Sequence, residues 1–379
     1  MVKTRKKKPV VVLAAGGTGG HVYPAESLAR HLEEGGWEIF LISDKKGADL
    51  STSEGWLKVI EITVQSVSGK TGLGKVVAFL SLLKAIFQVR RILKKLHPQA
   101  VIGFGGYASF PTMVAAVIGK HKTIIHEQNA IMGRANRFLA SRVNVIATSF
   151  RSTQGVPVNA KTNVIMTGMP VRQNMISKHG RGYPKLSKKS KLRILIAGGS
   201  QGASVLSKVV PDAIRVLGVD RSDQIEINQQ CRQEDYERLE AIYRQLGVYA
   251  DVSVFYKDIA DRLRDCHLFI GRAGASTIAE LKVVGRPSIL IPYPFAFDDH
   301  QTKNAFEIEQ IGGGWLIPEP LFTADELARR LKIFLRCPRM LDTAASSISA
   351  NGNPKATEFL GALVLNDGSK HLSRDIGLV

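Results

Sequence analysis

Val10-Val11-Val12-Leu13-Ala14-Ala15-Gly16-Gly17-Thr18-Gly19-Gly20-His21-Val22-Tyr23-Pro24-Ala25 decides how the rest of the chain is read. A β-branched apolar run enters four glycines in five residues, and Val22 to Ala25 follow. That order predicts strand, tight turn, helix start. Such a turn lets backbone N–H groups approach a ligand closely, with the positive end of the next helix behind them. His21, a side chain that titrates near neutral pH, stands at the lip of the turn. The phrase returns half a chain later as Ile194-Leu195-Ile196-Ala197-Gly198-Gly199-Ser200-Gln201-Gly202-Ala203. Two such openings predict an α/β protein of two Rossmann-like halves with a site between them.

A length of 379 residues exceeds one ordinary core and suits two domains. The contents of 44% hydrophobic and 22% charged residues are those of globular proteins. Cys231, Cys266 and Cys337 are odd in number and widely spaced, which argues against a disulfide framework and for a reducing compartment. No Cys/His spacing suits zinc.

The net charge of +19 is unevenly spread. From Ile62 to Val210 the only carboxylate side chain is Glu127, against 23 Lys and Arg; from Pro211 onward there are 24 acids and 20 bases. Solubility or base bias does not explain a lopsided distribution. It calls for an anionic partner on the first half: nucleic acid, an acidic membrane surface or a polyphosphate substrate. The opening Lys3-Thr4-Arg5-Lys6-Lys7-Lys8 imitates a signal peptide, but the apolar run behind it is short and ends in the glycine turn. It reads as a basic tail entering a buried strand. No apolar stretch approaches the length of a membrane span, so the expectation is a soluble or peripheral protein.

Along the chain, Glu26 to Glu34 reads as a helix, and strands are predicted at Trp37–Ile42, Lys58–Ile62, Ala100–Gly103, Thr123–His126 and Val143–Ala147. Helical stretches between them argue for a parallel sheet covered on both faces. Leu73 to Leu96 differs in tone: Val76 to Leu83 is apolar almost all round, and Lys84, Arg90, Arg91, Lys94 and Lys95 follow. Two readings stand, a core helix with a solvated basic end or a helix dipping into an anionic interface. Residues 171–191, with Gly180, Gly182, Pro184 and a Lys/Ser run, read as a linker. The alternation restarts with strands near Leu192–Ala197, Gln224–Asn228, Val252–Phe255, Leu268–Gly271, Ser288–Ile291 and Gly314–Ile317. A last apolar helix, Lys355 to Leu365, precedes a polar tail.

The first glycine loop fits neither G-x-G-x-x-G nor a P-loop. Asp44, after the second strand, keeps a ribose-binding dehydrogenase open on that stretch alone. His126-Glu127-Gln128-Asn129 follows a strand, at the edge where parallel sheets collect ligands. Four adjacent hydrogen-bonding side chains are costly to bury without partners, and the surrounding positive charge should hold Glu127 ionised. A polar loop with a cap is the plainer alternative. Gly103-Phe104-Gly105-Gly106-Tyr107-Ala108-Ser109 faces the same edge. In the second half, Gly271-Arg272-Ala273-Gly274-Ala275-Ser276-Thr277-Ile278-Ala279-Glu280 leaves backbone N–H groups open at a helix start, suited to a diphosphate. Glu280, one to two turns along, can take both hydroxyls of a ribose. Asp298 and Asp299 read as helix caps rather than a metal pair. With helix dipoles at hand, no metal and no cofactor are expected.

Taken together and in order, Gly16–His21, His126–Asn129, Thr167-Gly168-Met169-Pro170-Val171-Arg172, Gly198–Gly202, Gly271–Glu280 and Asp299-His300-Gln301-Thr302-Lys303-Asn304-Ala305 resemble the MurG family of peptidoglycan N-acetylglucosaminyltransferases, over roughly Val10 to Leu365. The resemblance implies a GT-B fold, two Rossmann-like domains facing across a cleft. The implied organisation is an acceptor- and membrane-binding domain over residues 9–170 and a UDP-GlcNAc-binding domain over 192–350. Residues 171–191 link them, a helix at about 354–366 packs back on the first domain, and 367–379 form a tail.

It also implies inverting transfer of GlcNAc from UDP-GlcNAc to the MurNAc C4 hydroxyl of undecaprenyl-pyrophosphoryl-MurNAc-pentapeptide (lipid I), giving lipid II. Donor contacts carried over by similarity are Thr18, Gly19, Gly20, Asn129, Arg172, Ser200, a backbone group near Tyr256, Ala275, Ser276, Thr277, Ile278, Ala279, Glu280 and Gln301. His21 is the first candidate for general base and Glu127 its competitor. Phe79, Leu80, Leu83, Lys84, Phe87, Arg90, Arg91, Lys94 and Lys95 would meet the anionic cytoplasmic face of the cell membrane, with cell-wall synthesis proteins as further partners. Two departures, Met169 for the usual Asn and His300 for a Gln of some members, remove no charge. Three rivals remain. A nucleic-acid-binding protein lacks an aromatic-interleaved motif here. A UDP-GlcNAc epimerase would share the donor site without needing the apolar-basic helix, and a glycolipid synthase would differ only in acceptor.

Overall fold

A computed structural model describes residues 8–51, 56–64, 72–157, 162–187, 190–199, 202–218 and 224–365. The chain divides into two compact units: unit 1 comprises Met1–Arg172 and Lys355–Val379, and unit 2 comprises Gln173–Pro354.

Unit 1 is built on seven parallel strands, β1 (Val10–Ala14), β2 (Glu38–Ser43), β3 (Lys58–Glu61), β4 (Ala100–Gly103), β5 (Thr123–Glu127), β6 (Val145–Thr148) and β7 (Asn163–Met166). Their order is β3-β2-β1-β4-β5-β6-β7. Helices α1 (Gly19–Glu34), α2 (Lys45–Ser51), α3 (Leu73–Leu96), α4 (Ser109–Ile118) and α5 (Arg134–Leu139) connect them. Every residue of β1 is buried, because helices cover both faces of the sheet. The direction of winding reverses between β1 and β4. Their C-terminal ends therefore form the crevice where open α/β sheets bind ligands.

Unit 2 repeats the plan with β8 (Leu192–Ala197), β9 (Ile225–Gln230), β10 (Tyr249–Ser253), β11 (Leu268–Gly271), β12 (Ser288–Leu290) and β13 (Gly314–Leu316), ordered β10-β9-β8-β11-β12-β13, all parallel. Its helices are α6 (Gln173–Ile176), α7 (Ser204–Leu217), α8 (Tyr236–Gln245), α9 (Ile259–Asp265), α10 (Ala275–Val284), α11 (His300–Gln310), α12 (Ala324–Arg336) and α13 (Arg339–Ala350). Here the winding reverses between β8 and β11. The final helix, α14 (Ala356–Leu365), belongs to unit 1. Leu360, Leu363 and Val364 enter the core beside Leu28 and Leu32 of α1, and Lys122 Nζ donates to Val364 O at 3.2 Å.

The fold departs from the sequence expectation in several places. Helix α1 begins at Gly19 rather than near Glu26, because burial of Val22, Ala25, Leu28 and Leu32 carries the helix through Pro24. Strand β7, at the sheet edge, was not expected, because its apolar run of Val164, Ile165 and Met166 is too short to declare a strand by itself. The stretch read as a linker is packed from Gln173 onward. Lys178 pairs with Asp261 at 2.6 Å, Tyr183 Oη donates to His267 O at 2.9 Å, and the buried Arg286 donates to Gly182 O at 2.8 Å. An internal arginine needs several acceptors, and this glycine-rich segment supplies one of them. Lys188 and Lys189, with the tail 367–379, lie outside the described residues.

Candidate active site

In unit 1 the first glycine loop closes β1. Gly17 adopts φ +81°, open to glycine at little cost, and its N–H donates to Asp44 Oδ1 at 3.0 Å. The same oxygen accepts from Gly47 N at 3.0 Å. Asp44, left open above as a ribose ligand, is instead the fastener of this loop. The loop after β4 meets it: a Cβ on Gly106 would lie 2.5 Å from Gly16 O, so only glycine fits. His21 stands in the first turn of α1, its N–H donating to Thr18 O at 3.0 Å. Its imidazole lies over Gly105, where a Cβ would come within 3.2 Å of the ring. Thr18 is exposed and Gly20 half-buried, so the turn and its first N–H groups face outward.

The end of β5 is anchored inward. His126 is fully buried, and its Nε2 donates to Gly168 O at 3.0 Å. Burial pushes its pKa down to about 4, opposed by that hydrogen bond and aided by the nearby His21. Glu127 is 1% exposed. Its Oε1 accepts from Asn129 N at 3.0 Å, and its Oε2 accepts from Gly133 N at 3.0 Å and Asn136 Nδ2 at 2.8 Å. Burial raises the carboxyl above its ordinary range against these donors. The expectation that surrounding positive charge governs this carboxyl is corrected, since burial is the larger influence. Gln128 Nε2 donates to Phe104 O at 2.6 Å, tying β5 to the glycine loop after β4. Of the four residues only Asn129 is half-exposed. The Arg172 guanidinium lies 5.1 Å from the Tyr23 ring centre, on the same unit as α1.

Helix α3 turns Ala78, Ala85, Val89 and Leu93 into the core. Val76, Val77, Phe79, Leu80, Leu83 and Phe87 nevertheless stay exposed, Phe79 at 56%. Lys84, Arg90, Arg91, Lys94 and Lys95 are exposed on the same helix, with Arg91 stacked 4.3 Å from the Phe87 ring centre. A solvent-facing apolar strip of this size marks an interaction surface. Among the described residues no helix is long and apolar enough to cross a membrane.

In unit 2, Gly199 (φ +78°) and Gly202 (φ +66°) shape the loop after β8; Ser200 lies outside the described residues. Strand β10 ends at Ser253, earlier than expected, because the Ser253 side chain bonds the Phe255 backbone and turns the chain. Tyr256 is committed inward, its Oη donating to Asp251 O at 2.6 Å and Arg262 stacking 4.0 Å from its ring centre. That leaves its backbone, not its side chain, for a ligand. Gly274 is extended, and α10 starts at Ala275. Ala275, Ser276, Thr277, Ala279 and Glu280 are half-buried, whereas the Ile278 side chain is core. The Ile278 N–H donates to Gly274 O at 3.0 Å, closing the first turn of the helix. Asn304 Nδ2 steadies this turn by donating to Ala273 O at 3.1 Å.

Gln301 Oε1 accepts from Tyr293 N at 3.0 Å. Asp298 and Asp299 have φ of +51° and +52°, and the Asp299 side chain makes no capping bond to α11, contrary to the reading from sequence. Among the described residues no group of three His, Cys, Asp or Glu is placed to hold a metal ion. Sequence reasoning placed Gly105 and Gly106 at this edge without their partners, and it missed Asn136, whose role depends on loops meeting across the sheet. Nothing in the sequence around Asn136 signals that role.

Residues 11–148 match the glycosyltransferase family 28 N-terminal domain, and residues 193–358 match the family 28 C-terminal domain. The chain is 45% identical over 359 residues to the UDP-N-acetylglucosamine–N-acetylmuramyl-(pentapeptide) pyrophosphoryl-undecaprenol N-acetylglucosamine transferase of Paramagnetospirillum magneticum, covering 95% of this chain and 97% of that relative. Among solved structures, Acinetobacter baumannii MurG superposes with a TM-score of 0.76 at 30% identity, covering 95% of this chain and 99% of that one. A putative UDP-N-acetylglucosamine 2-epimerase from Listeria monocytogenes reaches a TM-score of 0.67 at 12% identity, over 94% of this chain and 96% of the other, a likeness of fold alone.

Proposed function

Because the chain belongs to glycosyltransferase family 28 and has its GT-B fold, we propose that it transfers GlcNAc from UDP-GlcNAc to the C4 hydroxyl of MurNAc in lipid I, forming lipid II for peptidoglycan. The observation that carries this reading is the 45% identity to an enzyme named for that reaction, which runs through both units. The rival epimerase shares the fold at 12% identity only.

His21 is the general base. It stands at the outward lip of the first glycine turn with its ring over Gly105. It takes the proton of the acceptor hydroxyl as that oxygen bonds to C1 of GlcNAc. The C1–O bond to the diphosphate breaks in the same displacement, the anomeric centre inverts, and UDP leaves. Glu127 is not the base, because both its oxygens already accept hydrogen bonds inside the unit. The leaving diphosphate is stabilised by N–H groups at the start of α10, around Ala275 and Ser276, together with Ser200 and Arg172. Glu280 takes the ribose hydroxyls. Thr18, Gly19, Gly20, Asn129, the backbone near Tyr256, Thr277, Ala279 and Gln301 complete the donor contacts. No metal or cofactor is needed in this account.

The exposed apolar strip of α3 and its flanking Lys and Arg seat the protein on anionic lipid at the cytoplasmic face of the membrane, where the acceptor's polyprenyl chain is embedded. Cell-wall synthesis proteins are partners there, and nucleic acid is not. The test is transfer of labelled GlcNAc to a lipid I analogue, with and without EDTA. Lipid II formed in EDTA supports the reading; epimerised sugar or free UDP without lipid II overturns it.

A further inference from the structure

Arg272 is the one cation inside the glycine-rich turn that opens α10, and its position invites the role of diphosphate ligand. The structure commits it elsewhere. Its Nη1 donates to Ile291 O and Pro292 O, each at 3.1 Å, and forms an ion pair with Glu319 Oε2 at 2.5 Å. Its guanidinium also lies 5.4 Å from the Tyr293 ring centre. The side chain is 12% exposed and that of Glu319 27%. Arg272 thereby joins three successive strand ends: its own after β11, Ile291 to Tyr293 after β12, and Glu319 after β13.

The segment it holds controls one donor contact. Tyr293 N donates to Gln301 Oε1, which orients the Gln301 amide with Oε1 toward the backbone and Nε2 as its remaining donor. Phe295, 80% exposed, stacks edge-on against Tyr293 at 5.7 Å between ring centres. On the donor reading given above, its contacts are spread along the sheet edge in strand order. Tyr256 follows β10, Ser200 follows β8, α10 follows β11 and Gln301 follows β12. With the base at the β10 end, the ribose on Glu280 and the diphosphate at β8 and β11, the transferred sugar falls at β12.

We propose that Arg272, paired with Glu319, is a positioning residue for recognition of the donor sugar, acting through Tyr293 and Gln301 rather than touching the diphosphate. This rests on the donor reading given above. Lysine cannot replace it fully, because one ammonium does not span two carbonyls, a carboxylate and a ring.

The deciding experiment compares UDP-GlcNAc with UDP. In the full-length protein, Arg272→Lys and Glu319→Gln are expected to weaken UDP-GlcNAc binding about tenfold while UDP binding changes by less than about twofold. Arg272→Ala is expected to do worse than Arg272→Lys, and thermal unfolding confirms that each variant is folded. Combined with Gln301→Ala, Arg272→Lys should add little further loss, because the two act in series. Equal loss for UDP and UDP-GlcNAc would make Arg272 a diphosphate ligand and overturn the proposal. So would unchanged binding of both, or full additivity with Gln301→Ala. These binding measurements need no acceptor, so a wild type that binds UDP-GlcNAc yet makes no lipid II overturns the acceptor reading alone.

Discussion

Unit 1 and unit 2 repeat one construction, a parallel sheet whose winding reverses beside a glycine turn, yet they fasten that turn differently. In unit 1 two carboxylates accept from loop amides, Asp44 from Gly17 and Gly47 and Glu127 from the Asn129 to Asn136 loop, while Gln128 donates to the Phe104 carbonyl. In unit 2 the work falls to Asn304 and to the Arg272–Glu319 pair. Charge follows a similar division. Exposed cations crowd α3 of unit 1, whereas unit 2 balances Arg262, Arg264 and Arg330 against neighbouring carboxylates. A shared fold thus sets where ligands gather, and the fastening decides which side chains remain to act on them.

The comparison breaks most visibly at His21. His21→Ala is expected to lower kcat by about 10²–10⁴ with little change in the thermal midpoint, since the half-buried ring rests on Gly105 while Asp44 still holds the turn. Near-normal turnover would remove its role as base.

Acid separates the units next. His126 has a folded pKa of about 4, below its ordinary value of 6.5, so its neutral burial stabilises unit 1 fully above pH 6.5. That contribution, about 3 kcal/mol, is lost as pH falls from 6.5 through 4. His267 of unit 2, also lowered to about 4 by burial, has the same window. His126→Asn should flatten only unit 1's share of the pH dependence, read by denaturant unfolding at pH 7 and pH 4.5. An unchanged slope would place the acid sensitivity in unit 2.

Glu127→Ala should destabilise the fold by about 2 kcal/mol, because it removes the carboxylate that the buried Asn136 amide and the Asn129 and Gly133 N–H groups share. Turnover per folded molecule should change only a few-fold; full stability with abolished turnover would restore Glu127 as a base. Replacing Phe79 and Leu83 with Asp should weaken co-sedimentation with anionic vesicles about tenfold and leave UDP-GlcNAc binding intact. The smallest effect is expected for Gly361→Ala, whose new Cβ would sit 2.8 Å from the His31 ring, at about 1 kcal/mol of stability.

The sequence carries the frame of this fold plainly where pattern and burial coincide. Strands β4, β8 and β11 and helix α3 were legible to the residue, since each is bounded by turn residues and has an uninterrupted character. Strand β7 was not, because three apolar residues, Val164 to Met166, make too short a run to be told from a loop. The site was legible as motifs, not as roles. Asp44 and Glu127 are acids beside glycine loops, and nothing in one dimension tells a ligand from a fastener. That distinction depends on which amides lie within 3.0 Å of each carboxylate, and those amides are set by loop packing. The Asp299 cap failed for a related reason: the backbone there is left-handed rather than extended, and the side chain makes no capping bond to α11.

Helix α14 has a consequence for biosynthesis. Unit 2 is one continuous segment and has its whole core once Pro354 has been made. Unit 1 is translated first but finished last. Until Leu360, Leu363 and Val364 emerge from the ribosome, the apolar faces of Leu28 and Leu32 lack their final cover. A nascent chain stalled or cut short before that point leaves a greasy seam open to chaperones and proteases. The helix therefore serves as a completeness check on the polypeptide.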